Sequence, residues 1–209
     1  MLTEIVPDAW PVFLFAALML NITPGSDFLY CLNQGLHGGP RKGVIASFGI
    51  ASGSLLHSLF AVSGLSALLA IYPLAFDVLR WAGAAYLLWL AWRTWHTPAF
   101  VVPASNVEPV SSFDVWRNGT LVNLLNPKVA VFILAFIPQF VDPQAGSPVL
   151  QFLLLGLLFN VTGTSINACV GIFGGSLARL LRHSPELAEN LARISAIVFV
   201  LLAVRLFMD

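Results

Sequence analysis

Six long apolar segments dominate this chain, and they confine it to structures that satisfy every backbone hydrogen bond within lipid. The first runs from about Trp10 to Asn33 and the second from about Val44 to Ala70, parted by Gly38-Gly39-Pro40-Arg41-Lys42. The third covers about Leu74 to Trp95, the fourth Phe113 to Phe140, the fifth Leu150 to Leu177 and the sixth Leu191 to Met208. Each reaches or approaches the ~20 residues that cross ~30 Å of hydrocarbon. Only helices and closed barrels can span a bilayer, because nothing in its core replaces water as a hydrogen-bond partner. Ten-residue blocks of alternating polarity are missing, which argues against an outer-membrane barrel. Charged residues make up 10% of the chain, against about 25% in soluble domains. So few charges cannot cover a water-facing surface, and a water-soluble enzyme is excluded. The predicted class is an all-α integral membrane protein of six transmembrane helices.

Ten basic and ten acidic residues cancel. That leaves no basic face for nucleic acid and no polybasic tail for anionic lipid. Cys31 and Cys169 lie in apolar segments without a CxxC or Cys/His cluster, so both are expected as buried small side chains, with no metal site and no cofactor. Met1 to Asp8 carries Glu4 and Asp8 but no Lys or Arg. A cleaved signal peptide needs a basic start, so the first apolar segment is expected to remain as a span. Arg41, Lys42, Arg93, Arg117, Arg179, Arg182 and Arg193 share one face if each segment crosses once, whereas the other face holds Arg80 and Arg205. The positive-inside rule then places both termini outside the cytoplasm.

Two interruptions carry the functional information. Asn21-Ile22-Thr23-Pro24-Gly25-Ser26-Asp27 lies inside the first segment, and Asn123-Leu124-Leu125-Asn126-Pro127-Lys128 inside the fourth. Proline within a helix removes a hydrogen bond and clashes with the preceding turn, at about 3 kcal/mol or more. Here each proline follows an N-capping residue, Thr23 or Asn126, the pattern with which a helix begins. Helices one and four are therefore predicted to stop and restart at mid-membrane, where irregular backbone persists only if buried or lining a cavity. The breaks occupy corresponding places in residues 1–96 and 113–209, separated by a polar cytoplasmic linker at 97–112. Three spans per half force the second half in upside down. That is a 3+3 inverted-topology repeat, with the substrate site where the broken helices meet.

Thr23-Pro24-Gly25 with Asp27, Asn123-Leu124-Leu125-Asn126-Pro127-Lys128 and Gln139-Phe140-Val141-Asp142-Pro143 resemble the LysE/RhtB family of bacterial amino-acid exporters. Gly83-Ala84-Ala85-Tyr86-Leu87-Leu88-Trp89-Leu90 and Arg117-Asn118-Gly119 add to the likeness, which extends over nearly the whole chain. Ser26 stands where many members carry a second proline after the glycine. The resemblance implies secondary export of an amino acid or derivative across the inner membrane by proton antiport. The alternatives are a facilitator or channel for a small solute, or a non-transporting scaffold.

Asp27 and Lys128 are the ionisable residues set firmly at mid-membrane, each at ~2.5–3.5 kcal/mol on insertion scales. The helix dipole favours Asp27 in the first turn of its restarted helix and disfavours Lys128 in the first turn of the other. Lys128 thus calls for a negative partner, either Asp27 in a structural bridge or a substrate carboxylate. The expected substrate site comprises Asn21, Thr23, Pro24, Gly25 and Asp27 from one break and Asn123, Asn126, Pro127 and Lys128 from the other. Asn160 and Asn167 of the fifth segment, near Thr162 and Thr164, either line it or bond neighbouring helices. Asp27 and His57, which has Ser54 and Ser58 nearby, are the candidates for proton coupling. Gly49-x-x-x-Gly53 and Gly171-x-x-x-Gly175 permit close helix contact within the bundle or in a homodimer. Trp81, Tyr86, Trp89, Trp92 and Trp95 read as interfacial anchors against membrane lipid.

Overall fold

A computed structural model describes residues 10–71, 74–96, 110–142, 144 and 146–208. The N-terminal residues before Trp10 and most of the 97–112 linker lie outside the described residues. The described chain is helical: α1 (Trp10–Ile22), α2 (Ser26–Ile71), α3 (Leu74–His96), α4 (Ser112–Leu124), α5 (Pro127–Val131), α6 (Pro148–Ile172), α7 (Gly174–His183) and α8 (Pro185–Met208). Between α5 and α6 the chain widens into a π-helical turn, Phe132–Phe136, and then tightens into a 3-10 turn, Ile137–Phe140. Pro138 accounts for the irregularity: it offers no N–H to the carbonyl one turn earlier, and its ring crowds that carbonyl.

Among the described residues, Ser26–Gly64, Pro148–Ile172 and Glu189–Phe207 are each long and apolar enough to cross a membrane. Ser112–Leu124 with Pro127–Phe140 forms a fourth such stretch, bent by 54° at the break. Helix α1 has 13 residues, about 20 Å at 1.5 Å per residue, too short to cross alone. Two expected boundaries change. The parting of the first and second segments lies where it was expected: within α2 two helices meet at a kink at Gly39 (φ 77°, ψ 174°), just before Pro40. That left-handed conformation suits a residue without a Cβ. The fifth segment ends at Ile172 rather than Leu177, and α7 follows as a separate helix. The sixth begins earlier, at Pro185.

Helix α2 packs along α4 and α6, and α3 packs along α8. Small residues set the approach. A Cβ at Gly49 would meet the Trp116 carbonyl oxygen at 2.2 Å, and one at Gly53 would meet Asn123 at 2.8 Å. Cβ atoms at Gly35 and Gly43 would both meet Gly171 of α6. Eight residues would separate those positions by about 12 Å on a straight helix, so the turn at Gly39 brings both arms of α2 onto one glycine. The Gly49/Gly53 pair is thus used inside the bundle, whereas Gly175 meets nothing within 4 Å.

One apolar cluster gathers Phe13, Leu20, Val129, Phe132, Phe136, Phe159, Phe199 and Leu206; a second gathers Phe28, Cys31, Leu32, Ile50, Val115 and Val170. Cys31 is buried as expected, but Cys169 faces outward. Phe60, Trp92, Phe113 and Leu125 are also exposed, the last at 80%. Water would penalise such a surface; acyl chains do not.

Candidate functional site

The two breaks are built differently. At the first, Thr23 does not cap the helix that follows. Its hydroxyl and its N–H both donate to the Met19 carbonyl, at 2.7 and 3.0 Å, so Thr23 closes α1. Pro24 and Gly25 fill the gap, α2 starts at Ser26, and the Gly25 carbonyl accepts the first N–H of its ladder from Leu29 at 2.9 Å. At the second break Asn126 caps α5: its Oδ1 accepts the Lys128 N–H at 3.0 Å, with Pro127 at the first helical position. The sequence pattern describes this break fully and the first only in position.

Each break holds the charge supplied by the other. Asp27, in the first turn of α2, accepts from Asn123 Nδ2 at 2.7 Å and from Asn126 Nδ2 at 2.9 Å, one bond to each carboxylate oxygen. Ser26 Oγ stands 3.4 Å from Oδ1. Lys128, in the first turn of α5, donates from Nζ to the carbonyls of Leu20 and Thr23, both at 3.0 Å. All four side chains and Thr23 are buried. No ion pair joins Asp27 to Lys128. The partner that Lys128 requires is the carbonyl end of α1, whose dipole favours a cation, so neither a salt bridge nor a substrate carboxylate is needed to explain its burial. Gly25 makes this possible, since a Cβ there would lie 3.1 Å from Lys128 Nζ.

A small cleft opens beside this clasp, where the two apolar clusters meet. Of the sequence-predicted residues, Asn21, Asp27, Asn123, Asn160 and Asn167 line it. Thr23, Pro24, Gly25, Asn126, Pro127 and Lys128 are not among its lining residues. Ser54, Thr164, Gly163, Ile50, Ala51, Val129 and Phe159 complete the lining. Ser54 stood in the sequence only as a neighbour of His57, and Gly163 carried no signal. A Cβ at Gly163 would sit 2.9 Å from Asn21 Oδ1, so its absence seats Asn21, which donates to Thr162 Oγ1 and the Phe159 carbonyl. Asn160 donates to the Ala51 carbonyl at 2.8 Å. His57 Nε2 lies 3.2 Å from the Asn123 carbonyl oxygen rather than against Asp27.

Three buried polar atoms on residues of this wall, Ser54 Oγ, Asn123 Oδ1 and Asn167 Oδ1, have no hydrogen-bond partner. Buried polar groups are ordinarily satisfied, because an unmade bond costs about 1–3 kcal/mol. An anionic side chain beside unmet polar atoms in an otherwise apolar bundle is a binding arrangement, and nothing in it resembles a nucleophile with its base.

The LysE type translocator family matches residues 18–209. An uncharacterized membrane protein of Vibrio cholerae is 33% identical over 197 residues, 91% of this chain and 92% of its own. A homoserine/homoserine lactone efflux protein of Salmonella typhimurium is 32% identical over 148 residues, 71% of each chain. A leucine efflux protein of Klebsiella pneumoniae is 28% identical over 197 residues, 93% of this chain and 92% of its own. No solved structure matches. These relatives are transporters and membrane proteins, not enzymes, and this chain belongs to the LysE type translocator family.

Proposed function

We propose that this protein is a secondary exporter of an amino acid or amino-acid derivative, working in the bacterial inner membrane by proton antiport through the cleft at Asp27. The observation that carries this reading is the buried Asp27 carboxylate, which faces a cleft and is held by neutral amides rather than by a cation. A purely structural buried charge is ordinarily neutralised by an opposite charge, and Asp27 has no ion-pair partner while it lines the cleft. His57 supports the site through Asn123. Relatives named for efflux of leucine and of homoserine or its lactone make leucine and homoserine the first compounds to test.

The same reading takes the fold as six crossings in a 3+3 inverted repeat, with repeats at 1–96 and 113–209 joined by a cytoplasmic linker and both termini extracytoplasmic. The pairing of α2 with α6 and of α3 with α8 supports it, as does the reciprocal hold between the breaks. Alternating access then moves one repeat against the other around a fixed site. The test of function is uptake of radiolabelled leucine and homoserine into inside-out vesicles, with and without a proton gradient. Gradient-dependent accumulation is expected; exchange indifferent to the gradient would mean a facilitator. A reporter at the C-terminus should be extracytoplasmic and one inserted near Asn106 cytoplasmic, and a cytoplasmic C-terminus would end the 3+3 arrangement.

A further inference from the structure

One face of α6 runs out of the cleft and ends at a contact. Asn160, Thr164 and Asn167 line the cleft, and Gly171 follows them at helical spacing. On the arm of α2 before Gly39, Asp27, Cys31 and Gly35 likewise share one face. Asp27 lines the cleft, Cys31 is fully buried, and Gly35 meets Gly171. There the approach is backbone to backbone. A Cβ at Gly35 would lie 1.9 Å from the Gly171 carbonyl oxygen, and one at Gly174 would lie 2.9 Å from the Leu32 carbonyl oxygen. Among the described residues no hydrogen bond joins 32–43 to 167–178, so packing alone holds the contact. The anchors of α6 lie at the other end of the cleft, where Asn160 donates to Ala51 and Asn21 donates to Phe159 and Thr162. Past Thr162, α6 has no hydrogen bond to α1, α2 or α4 among the described residues. Between anchors and contact, the hydroxyls of Thr162, Thr164 and Ser165 turn back onto the carbonyls of Leu158, Asn160 and Val161 at 2.7–2.8 Å, around Gly163. Back-bonded hydroxyls beside a glycine make a turn at which helices bend. Arg41 and Arg179, both exposed, mark the membrane face to which the contact belongs.

We infer that this contact is the cytoplasmic gate of the cleft, closed in this structure, and that the end of α6 swings from α2 with α7, about residues 162–165, to admit substrate. This rests on the cleft being the export site and on the arginine-rich face being cytoplasmic. Cys31 lies between cleft and gate and reports the opening. The test is labelling of Cys31 by a membrane-impermeant maleimide in inside-out vesicles of Cys169→Ala protein, which removes the other, exposed cysteine. Cys31 should react slowly, and from the cytoplasmic face alone. A Cβ at Gly171 would lie 2.6 Å from the Gly43 backbone, so Gly171→Ala should prop the gate open. Its labelling should be about tenfold faster, a shift within reach of overpacking so tight a contact, and its gradient-driven accumulation of leucine should fall. Gly175→Ala, at a glycine with nothing within 4 Å, should match its parent in both. Labelling from the opposite face alone, or a folded Gly171→Ala protein labelled no faster than its parent, would overturn the inference. Should Gly171→Ala not fold, the parent decides: Cys31 that never reacts in vesicles, yet reacts fully once unfolded in SDS, means that no gate opens there. Labelling needs no flux, so a protein that exports nothing fails the export reading in the uptake assay and still reports on the gate.

Discussion

The breaks at Thr23-Pro24-Gly25 and Asn126-Pro127 look alike in sequence and do opposite work. The first exposes carbonyls at the end of α1, and the second exposes amide donors around the start of α5. A cation is held at the carbonyl end and an anion at the amide end. The charge on each side comes from the chain just beyond the other break. The difference arises from the capping side chain. A threonine hydroxyl readily bonds back to the carbonyl four residues earlier, whereas the asparagine carbonyl oxygen faces forward onto an N–H and leaves its amide free for Asp27. A proline therefore marks where a helix stops, but its neighbour decides which end of the break is satisfied.

The most severe outcome is expected from exchanging the two charges, Asp27→Lys with Lys128→Asp. A lysine at 27 would face the amide donors of Asn123 and Asn126, and a carboxylate at 128 would face the carbonyls of Leu20 and Thr23. A stranded buried charge costs on the order of 3–5 kcal/mol, so the exchange should yield less folded protein than either single replacement in size-exclusion profiles. Recovery of export by the exchange would mean that the two side chains act as a simple bridge.

Asn126→Ala comes next, since it removes both the α5 cap, worth about 1 kcal/mol, and a hydrogen bond to a charge, worth about 1.5–3 kcal/mol. A drop in Tm with lost export is the expected result. The prolines should differ. Pro24→Ala removes the element that stops α1, because the Thr23 hydroxyl bonds back to Met19 rather than capping α2, and export should fall several-fold. Pro127→Ala leaves the Asn126 cap in place and should be milder; equal losses would deny the asymmetry. The smallest effect belongs to Thr23→Val. The Met19 carbonyl keeps its bond from the Thr23 N–H, so the change should stay below about 1 kcal/mol in thermal unfolding.

The breaks were legible because a proline beside polar residues inside an apolar run has few other meanings, and Asn126 as a cap followed from its type and spacing. Thr23 as a cap did not survive, because its hydroxyl can bond either way and only tertiary packing of Lys128 against the α1 carbonyls decides. The partner of Lys128 was illegible for the same reason: backbone carbonyls leave no mark in a sequence. The π and 3-10 turns over 132–140 were hidden in a continuous apolar stretch with one proline near its end. The kink at Gly39 was legible in Gly38-Gly39-Pro40, whereas the early end of α6 at Ile172 was hidden in an apolar run. Of the cleft, the asparagines were visible as polar residues in apolar segments, whereas Gly163 and Phe159 take part only through what they pack against.

In the proposed mechanism Asp27 is the group through which export meets the proton gradient. Its most direct test is proton movement coupled to leucine or homoserine in proteoliposomes, compared between the native protein and Asp27→Asn, with Tm confirming that both are folded. The native protein should move protons opposite to substrate, and Asp27→Asn should show neither coupled proton flux nor gradient-driven accumulation. A folded Asp27→Asn protein that accumulates substrate at near-native rate with its proton flux intact would contradict it.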